Sequence, residues 1–267
     1  ALRLKRLGYD VTIVDKCDCL GGRAQLYTRG RFKFDAGPTV ITAPFLIDEL
    51  FELYGKDRHQ YIEFLKVKPW YRFVFNDKTT FDYEDTFDGT LEEIAKISPK
   101  DVSGYKKLVK FSERIFNKGF LGLSHISFHR FSLMLKQVPA LLILRSYLSV
   151  YSFVSSFLEH SKLRRAFSIH PLLVGGNPFS TTSIYCLIHH LERKYGIWFP
   201  KGGTSALVSS LGVLMKEVGI EVILSTEVES LEFNQNEINH ALELVDKDLF
   251  LKNREDVKKY LPDILGR

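Results

Sequence analysis

The feature that most constrains the fold is the order of elements in residues 1–15. Leucines alternate with basic residues through residues 1–7, as in the last turns of a surface helix. Gly8 follows, at a place where helices commonly end in a left-handed glycine. Residues 11–14 form a short apolar run that predicts a buried strand, and Asp15 closes it. Helix, glycine, strand and acid in this order predict part of a βαβ unit.

Asp15 and the glycines after it point to a dinucleotide. In a dinucleotide-binding fold, the acid that closes the second strand accepts hydrogen bonds from the adenosine ribose hydroxyls. Gly21 and Gly22 let the backbone approach a pyrophosphate closely because they have no Cβ, and Arg23 offers a fixed charge to phosphates or a flavin. The same residues also fit a plain strand followed by a surface loop, so this motif alone leaves both interpretations open.

The glycine-rich loop that should precede this helix, G-x-G-x-x-G, does not occur in the sequence. Together with the first residues, which resemble the end of a helix, this predicts that the chain is an internal piece of a longer protein.

Charge and cysteine content exclude some classes of function. The net charge of +5 favours an anionic partner, such as a dinucleotide or an acidic membrane, but the basic residues are scattered. No RNA- or DNA-reading motif occurs, so we expect no nucleic-acid partner. Cys17, Cys19 and Cys186 are too few for a disulfide framework, and Cys17 and Cys19 alone do not make a zinc site. We therefore expect loop thiols, a reducing compartment and no metal.

The remaining pattern is α/β at both ends and mostly helical between them. A hairpin is predicted around Asn76, Asp77 and Lys78 within residues 70–83. Residues 120–158 are so apolar that they either pack in the core or form an exposed apolar surface. Helices and strands are predicted as follows: helices at 44–54, 90–97, 99–116, 163–173, 180–195 and 205–218, a turn at 175–178, and strands at 221–224 and 228–233.

Several long runs resemble one family in register. The runs GYDVTIVDK from Gly8 and LGGRA from Leu20 resemble the cofactor-binding start of the amine oxidase and phytoene desaturase superfamily. Three further runs narrow the resemblance to the bacterial-type carotenoid (phytoene) desaturases: FDAGPTVI from Phe34, LLVGGNPF from Leu172 and YGIWFPKGGT from Tyr195. The resemblance extends over about residues 1–238.

This resemblance implies FAD as the cofactor. Asp15 would bind the ribose, and Val228, in the last predicted strand, would contact the adenine end through its backbone. The remaining expected cofactor-binding residues are Gly21, Gly22 and Arg23 along the cofactor, and Asp35, Gly37, Pro38 and Thr39 near the isoalloxazine.

It also implies the fold class and the domains. We expect an α/β fold, with a partial Rossmann-like FAD-binding domain interrupted by an inserted, mostly helical (α+β) substrate domain. Residues 1–60 would be the first part of the FAD-binding domain and 61–198 the membrane-facing substrate domain. Residues 199–240 would return to the FAD-binding domain, and 241–267 are a tail that we match to nothing.

The implied reaction is desaturation of phytoene or a related isoprenoid hydrocarbon, with hydride transfer to the flavin. The protein would be cytoplasmic and peripherally bound to a membrane, because the substrate dissolves only in lipid. No catalytic residue is identified, since the cofactor performs the chemistry. As an incomplete chain, it should bind FAD poorly and show no turnover. A carotene isomerase and a non-catalytic, lipid- or membrane-binding remnant of the fold stay open as alternatives.

Three further groups of residues could have a functional role, and the sequence supports each of them only weakly. His125 and His129 have the i, i+4 spacing of two ligands, but no carboxylate partner lies near them in the sequence. His189, His190 and Glu192 could handle protons or form a polar helix face. The turn at 201–203, ahead of a helix, could contact the cofactor or pack at a domain junction.

Overall fold

The computed structural model describes residues 1–122 and 131–229. His125, His129 and the tail 241–267 lie outside these residues. The elements follow in this order: α1 Leu2–Arg6, β1 Thr12–Val14, β2 Leu26–Arg29, β3 Phe32–Asp35, α2 Pro44–Glu52, β4 Phe64–Lys66, β5 Tyr71–Val74, β6 Thr80–Tyr83, α3 Phe87–Ile97, α4 Asp101–Phe116, α5 Phe131–Ile143, α6 Val150–Ser155, α7 Ser161–Ala166, α8 Leu187–Tyr195, β7 Trp198–Pro200, α9 Thr204–Glu217 and β8 Glu221–Ile223.

A parallel pair of strands joins the two ends of the described chain. β1 pairs with β8 in parallel, with Thr12 opposite Glu221 and Val14 opposite Ile223. A small core beside this pair contains buried residues from α1, α2, α9 and the approach to β8: Leu2, Phe51, Leu214 and Ile220. Residues 1–60 and 204–223 therefore share one core, although more than a hundred residues separate them in sequence.

The local predictions at the start of the chain are confirmed in position. α1 ends just before Gly8, whose φ of +92° is the expected left-handed conformation. β1 is less buried than a strand inside a parallel sheet would be, since Val14 is 40% exposed. The prediction of a buried strand is wrong in this respect, because β8 is the sole pairing partner of β1 among the described residues.

A second hairpin was not predicted from the sequence. β2 and β3 pair antiparallel, with Leu26 opposite Asp35 and Arg29 opposite Phe32. Gly30 turns the chain between them with φ +60°. The strand β3 extends through Asp35, and the exposed segment 36–39 follows it.

The larger core lies between the β5–β6 hairpin and helices α3, α4, α6 and α8. The predicted hairpin is confirmed, with Tyr71 opposite Tyr83 and Val74 opposite Thr80. Tyr83, Tyr105 and Phe167 pack their rings edge to face or tilted against one another in its centre. All seventeen buried members of this core fall between Trp70 and Ile197.

Two predicted helices are shorter than expected. The segment 163–173 breaks after α7, which ends at Ala166, and a 3-10 helix follows over His170–Val174. Pro171 explains the break because proline has no amide hydrogen and restricts the residue before it. The segment 180–195 begins as a 3-10 helix over Ser183–Cys186, and α8 follows.

Two short strands lie where the chain passes between the cores. β4 pairs antiparallel with β7, with Phe64 opposite Pro200 and Lys66 opposite Trp198. Trp198 also forms an isolated bridge with Ile41. The chain therefore leaves the first core and returns to it at neighbouring points.

Both interpretations of the apolar segment 120–158 hold, for different residues. Leu144, Val150, Phe153, Val154 and Leu158 are buried in the larger core. An exposed apolar set lies on α5 and after it: Leu135, Val138, Leu142, Ile143 and Tyr147. Within 1–122 and 131–229, none of the helices has the length and apolar character needed to cross a membrane.

Candidate functional site

The predicted glycine motif folds into a tight turn against a second predicted segment. A 3-10 helix covers Gly22–Ala24, and Gly21 precedes it with φ +118°, a conformation that glycine adopts most readily. The amide of Ala36 donates to the carbonyl oxygen of Gln25 at 2.9 Å. At Gly37 an added Cβ would lie 2.1 Å from the carbonyl oxygen of Arg23, so only glycine fits there.

The two predicted cofactor segments therefore touch each other. Arg23 and Ala24 lie beside Gly37, Gly21 and Gly22 precede them in the same turn, and the side chain of Arg23 is exposed. Pro38 and Thr39 continue along the same exposed edge. This places the expected cofactor residues 21–23 and 37–39 side by side on the surface.

Asp15 stands at the carboxyl end of β1, as predicted. One carboxylate oxygen accepts a hydrogen bond from the Cys17 amide at 2.9 Å. The backbone of Asp15 is held by the return segment, since its amide donates to Ile223 O at 2.9 Å and its carbonyl accepts from Thr226 N at 3.0 Å. The side chain is half-buried in a turn that β8 stabilises.

Val228 is placed differently from the prediction. The strand expected over 228–233 is absent at Val228 and Glu229, which have no regular structure. Residues 230–233 lie outside the described residues. Val228 is 54% exposed, three residues after Ser225, whose amide donates to Cys17 O at 2.8 Å. The return segment thus passes next to the loop that follows Asp15, but not as the predicted strand.

The start of α9 contacts the segment 35–38, which was not predicted from the sequence. The amide of Thr204, the first residue of α9, lies 3.3 Å from Asp35 Oδ2. The Thr204 hydroxyl donates to the carbonyl oxygen of Pro38. Lys201 forms an ion pair with Glu63 at 2.7 Å. A Gly-Gly-Thr run ahead of an apolar helix was the available signal, and these contacts favour its interpretation as junction packing.

Leu20 connects the turn at residues 20–24 to α9. An added Cβ at Gly212 would lie 2.7 Å from Leu20 Cδ1, so the helix presents a glycine where this side chain packs. The turn at 20–24, the segment at 35–39 and α9 therefore form one assembly.

A buried polar network lies in the larger core. Glu192 is fully buried, and its carboxylate oxygens lie 3.0 Å from His170 Nε2 and 3.0 Å from Tyr71 Oη. Because a carboxylate only accepts, His170 Nε2 and the tyrosine hydroxyl donate to it. His189 packs edge to face on His170, with ring centroids 4.2 Å apart. His189 and Glu192 therefore do not form a polar helix face, which was one of the two interpretations.

Burial determines the charge of His189. Its pKa is held well below the usual value, first by burial and then by His170. The ring is therefore neutral at physiological pH, and Nε2–H donates to Phe167 O at 3.0 Å. The pKa of His190 is also lowered, mainly by partial burial. No described contact joins these histidines to residues 15–39, so a proton-handling role stays a prediction.

Comparison with known proteins identifies the class to which this arrangement belongs. The model of the family described as flavin containing amine oxidoreductase matches residues 1–251. The chain therefore belongs to the flavin-containing amine oxidoreductase family.

Among curated relatives, the chain is similar to phytoene desaturases described as lycopene-forming. It is 44% identical to that of Pantoea ananas, over 94% of this chain and 51% of the relative. It is 40% identical to that of Pseudescherichia vulneris, over 97% and 54%, and 40% identical to that of a Paracoccus strain, over 87% and 46%. The chain spans about half the length of these relatives.

Solved structures agree on the fold. A protein of Pyrococcus furiosus matches with a TM-score of 0.53 at 15% identity, over 85% of this chain and 48% of that one. Putrescine oxidase matches with a TM-score of 0.52 at 12% identity, over 87% and 49%. At these identities the likeness concerns the fold alone, a mixed helix-and-strand arrangement.

Proposed function

We propose that this chain is the cofactor- and substrate-binding part of an FAD-dependent desaturase acting on phytoene or a related carotenoid precursor. The observation that carries the proposal is the similarity over almost the whole chain to three lycopene-forming phytoene desaturases. The family match to flavin-containing oxidoreductases supports the cofactor independently of the substrate.

The geometry supports FAD at the edge formed by residues 15–39. Asp15 ends a parallel strand, where an acid can accept from ribose hydroxyls. Arg23 is exposed, its backbone packs directly against Gly37, and its guanidinium can pair with phosphate oxygens. The site roles proposed for Gly21, Gly22, Pro38 and Thr39 rest on the same exposed edge, and that of Val228 on its position beside the loop after Asp15.

The two cores support two domains. The first would consist of residues 1–60 and 199–240, with a Rossmann-like parallel pair, and the second of residues 61–198. The pairing of β4 with β7 at the proposed boundary agrees with an insertion.

In the proposed reaction the substrate loses a hydride from one carbon and a proton from the next, and the remaining electron pair forms the new double bond. FAD, when bound, supplies the two-electron oxidant that takes up the hydride, and solvent takes up the proton. The residues of this chain bind the adenosine, position the segment at 36–39 and provide apolar surface that excludes water.

A peripheral membrane contact completes the proposal, because a long hydrocarbon is available only in lipid. The exposed apolar residues at the end of α5 and just after it support it, together with those of the 3-10 helix and the turn over residues 170–179: Leu142, Ile143, Tyr147, Leu172, Val174 and Phe179. The turn packs on α6, since Tyr151 and Phe179 place their ring centroids 4.7 Å apart.

The cofactor part is tested by titrating the purified chain with FAD and following quenching of flavin fluorescence. We expect weak, saturable binding. Asp15→Ala should weaken it roughly tenfold or more, since a hydrogen bond to a charged group contributes about 1.5–3 kcal/mol. Asp10→Ala is the matched control because its side chain is fully exposed. Equal affinity of both variants would contradict the role of Asp15.

The reaction is tested with a chimera in which residues 1–251 replace the matched segment of the Pantoea ananas enzyme. Expression in a phytoene-accumulating bacterium should give coloured carotenoids, and the same chimera with Asp15→Ala should give less. A chimera that retains FAD but leaves phytoene unchanged would refute desaturation. Isomerised phytoene with an unchanged number of double bonds would favour an isomerase.

A further inference from the structure

Asp35 was expected to contact the cofactor, but its surroundings indicate another task. It is the last residue of β3, immediately before the exposed segment 36–39. Its carboxylate points toward the first turn of α9, a helix of 14 residues.

The contacts form a clamp between two distant parts of the chain. Asp35 Oδ2 accepts from the Thr204 amide at 3.3 Å, and the Thr204 hydroxyl donates back to Pro38 O. The first amides of a helix have no partner within it, and a negative charge there is stabilised by the helix dipole. Asp35 therefore acts as the acceptor at the start of α9, although it lies 169 residues away in sequence.

The second carboxylate oxygen is also enclosed. Asp35 Oδ1 is buried and has no hydrogen-bond partner among the described residues. With one oxygen bonded to α9 and the other closed off from the surface, the carboxylate presents neither to a molecule lying along residues 37–39.

Gly203 makes this approach possible. Its φ is +84°, and an added Cβ would lie 2.7 Å from Asp35 Oδ2. Any larger residue would both strain the backbone and displace the carboxylate. Gly202, with φ +93°, shares the unusual turn that brings the start of α9 to β3.

We propose that Asp35, Gly203 and Thr204 form a positioning clamp that fixes the segment 36–39 for the flavin, and that Asp35 is not a cofactor ligand. The clamp couples the returning part of the cofactor domain to the edge where FAD is proposed to lie. Its role toward FAD rests on the proposed function, whereas the clamp itself does not.

The experiment compares Asp35→Ala and Thr204→Val with the control Asp10→Ala in the purified chain. Amide hydrogen exchange is measured without FAD in peptides covering 36–41 and 203–208. Both clamp variants should exchange roughly tenfold faster there, because each loses one hydrogen bond. Peptides from α4 should not change, and the control should match the wild type.

FAD titration of the same variants separates positioning from direct contact. If Asp35, Gly203 and Thr204 act as a clamp, Thr204→Val should weaken FAD binding several-fold, and so should Asp35→Ala. If Asp35 were a ligand, Asp35→Ala would weaken binding without altering exchange, and Thr204→Val would leave affinity unchanged; that result would overturn the proposal. Unchanged exchange in both variants would overturn it as well. A wild-type chain that binds no FAD would refute the proposed cofactor site, while exchange still decides whether the clamp exists.

Discussion

Replacing Glu192 by alanine should destabilise the larger core by about 3–5 kcal/mol, the cost of breaking a buried hydrogen-bonded pair by removing one partner. Glu192 is fully buried, and His170 and Tyr71 donate to its two oxygens at 3.0 Å each. Its removal leaves both donors without an acceptor and without access to water. Glu192→Gln keeps the shape and one acceptor oxygen, so it should cost less, about 1–3 kcal/mol.

Thermal unfolding followed by far-UV circular dichroism and tryptophan fluorescence measures this difference. Trp70 is buried in the larger core, so its emission reports on the right part of the molecule. At roughly 2–4 °C per kcal/mol for a protein of this size, Glu192→Ala should lower the Tm by about 6–20 °C. Glu92→Ala, exposed on α3, is the control and should change stability by no more than about 0.5 kcal/mol.

A double-mutant cycle tests the hydrogen bond itself. Tyr71→Phe combined with Glu192→Ala should be less destabilising than the sum of the single changes, because each substitution removes the hydrogen bond between Tyr71 and Glu192. If Glu192→Ala unfolds at the same temperature as Glu92→Ala, the buried carboxylate does not stabilise this core and the reasoning is refuted.

Two further predictions concern titrating groups. Desolvation first, and Asp18 second, raise the pKa of Cys19, and burial raises that of Cys186. Peptide mapping after iodoacetamide should therefore show slow labelling of Cys19 that accelerates with pH, and labelling of Cys186 only after unfolding; rapid labelling of Cys186 in the native chain would contradict its burial. The hydrogen bond from Lys162 lowers the pKa of Asp77 to about 2, against about 3.9 in an unfolded chain. The contribution of this ion pair to stability should be fully present above about pH 4 and lost as the pH falls through 2. Asp77→Asn should therefore lower Tm at pH 7 and by much less at pH 2; an equal Tm difference at both would exclude the ion pair as the cause.

Local structure could be predicted wherever neighbouring residues decide it. Gly8 and the helix before it, α2 beginning at Pro44, and the hairpin around Asp77 were all correctly placed from short-range pattern. Pro171 was the available signal for the break after α7, and its effect was underestimated.

Contacts between distant residues could not be predicted in the same way. The pairing of β4 with β7 needs two three-residue strands that carry almost no pattern of their own. The bond from Thr204 to Asp35 depends on the tertiary approach of α9 to β3. Burial of Glu192 could not be predicted either, because its hydrogen-bond partners, Tyr71 and His170, come from other elements.

The pairing of β4 with β7 has a consequence for how this protein can change. Adjacent strands lie about 4.8 Å apart, so the two ends of the segment 67–197 are next to each other. Antiparallel strands at that spacing can be joined by a two-residue turn. The segment between these strands can therefore change in length while the strands keep their pairing. In the proposed desaturase, substrate preference would then diverge without a change in the part proposed to hold the cofactor.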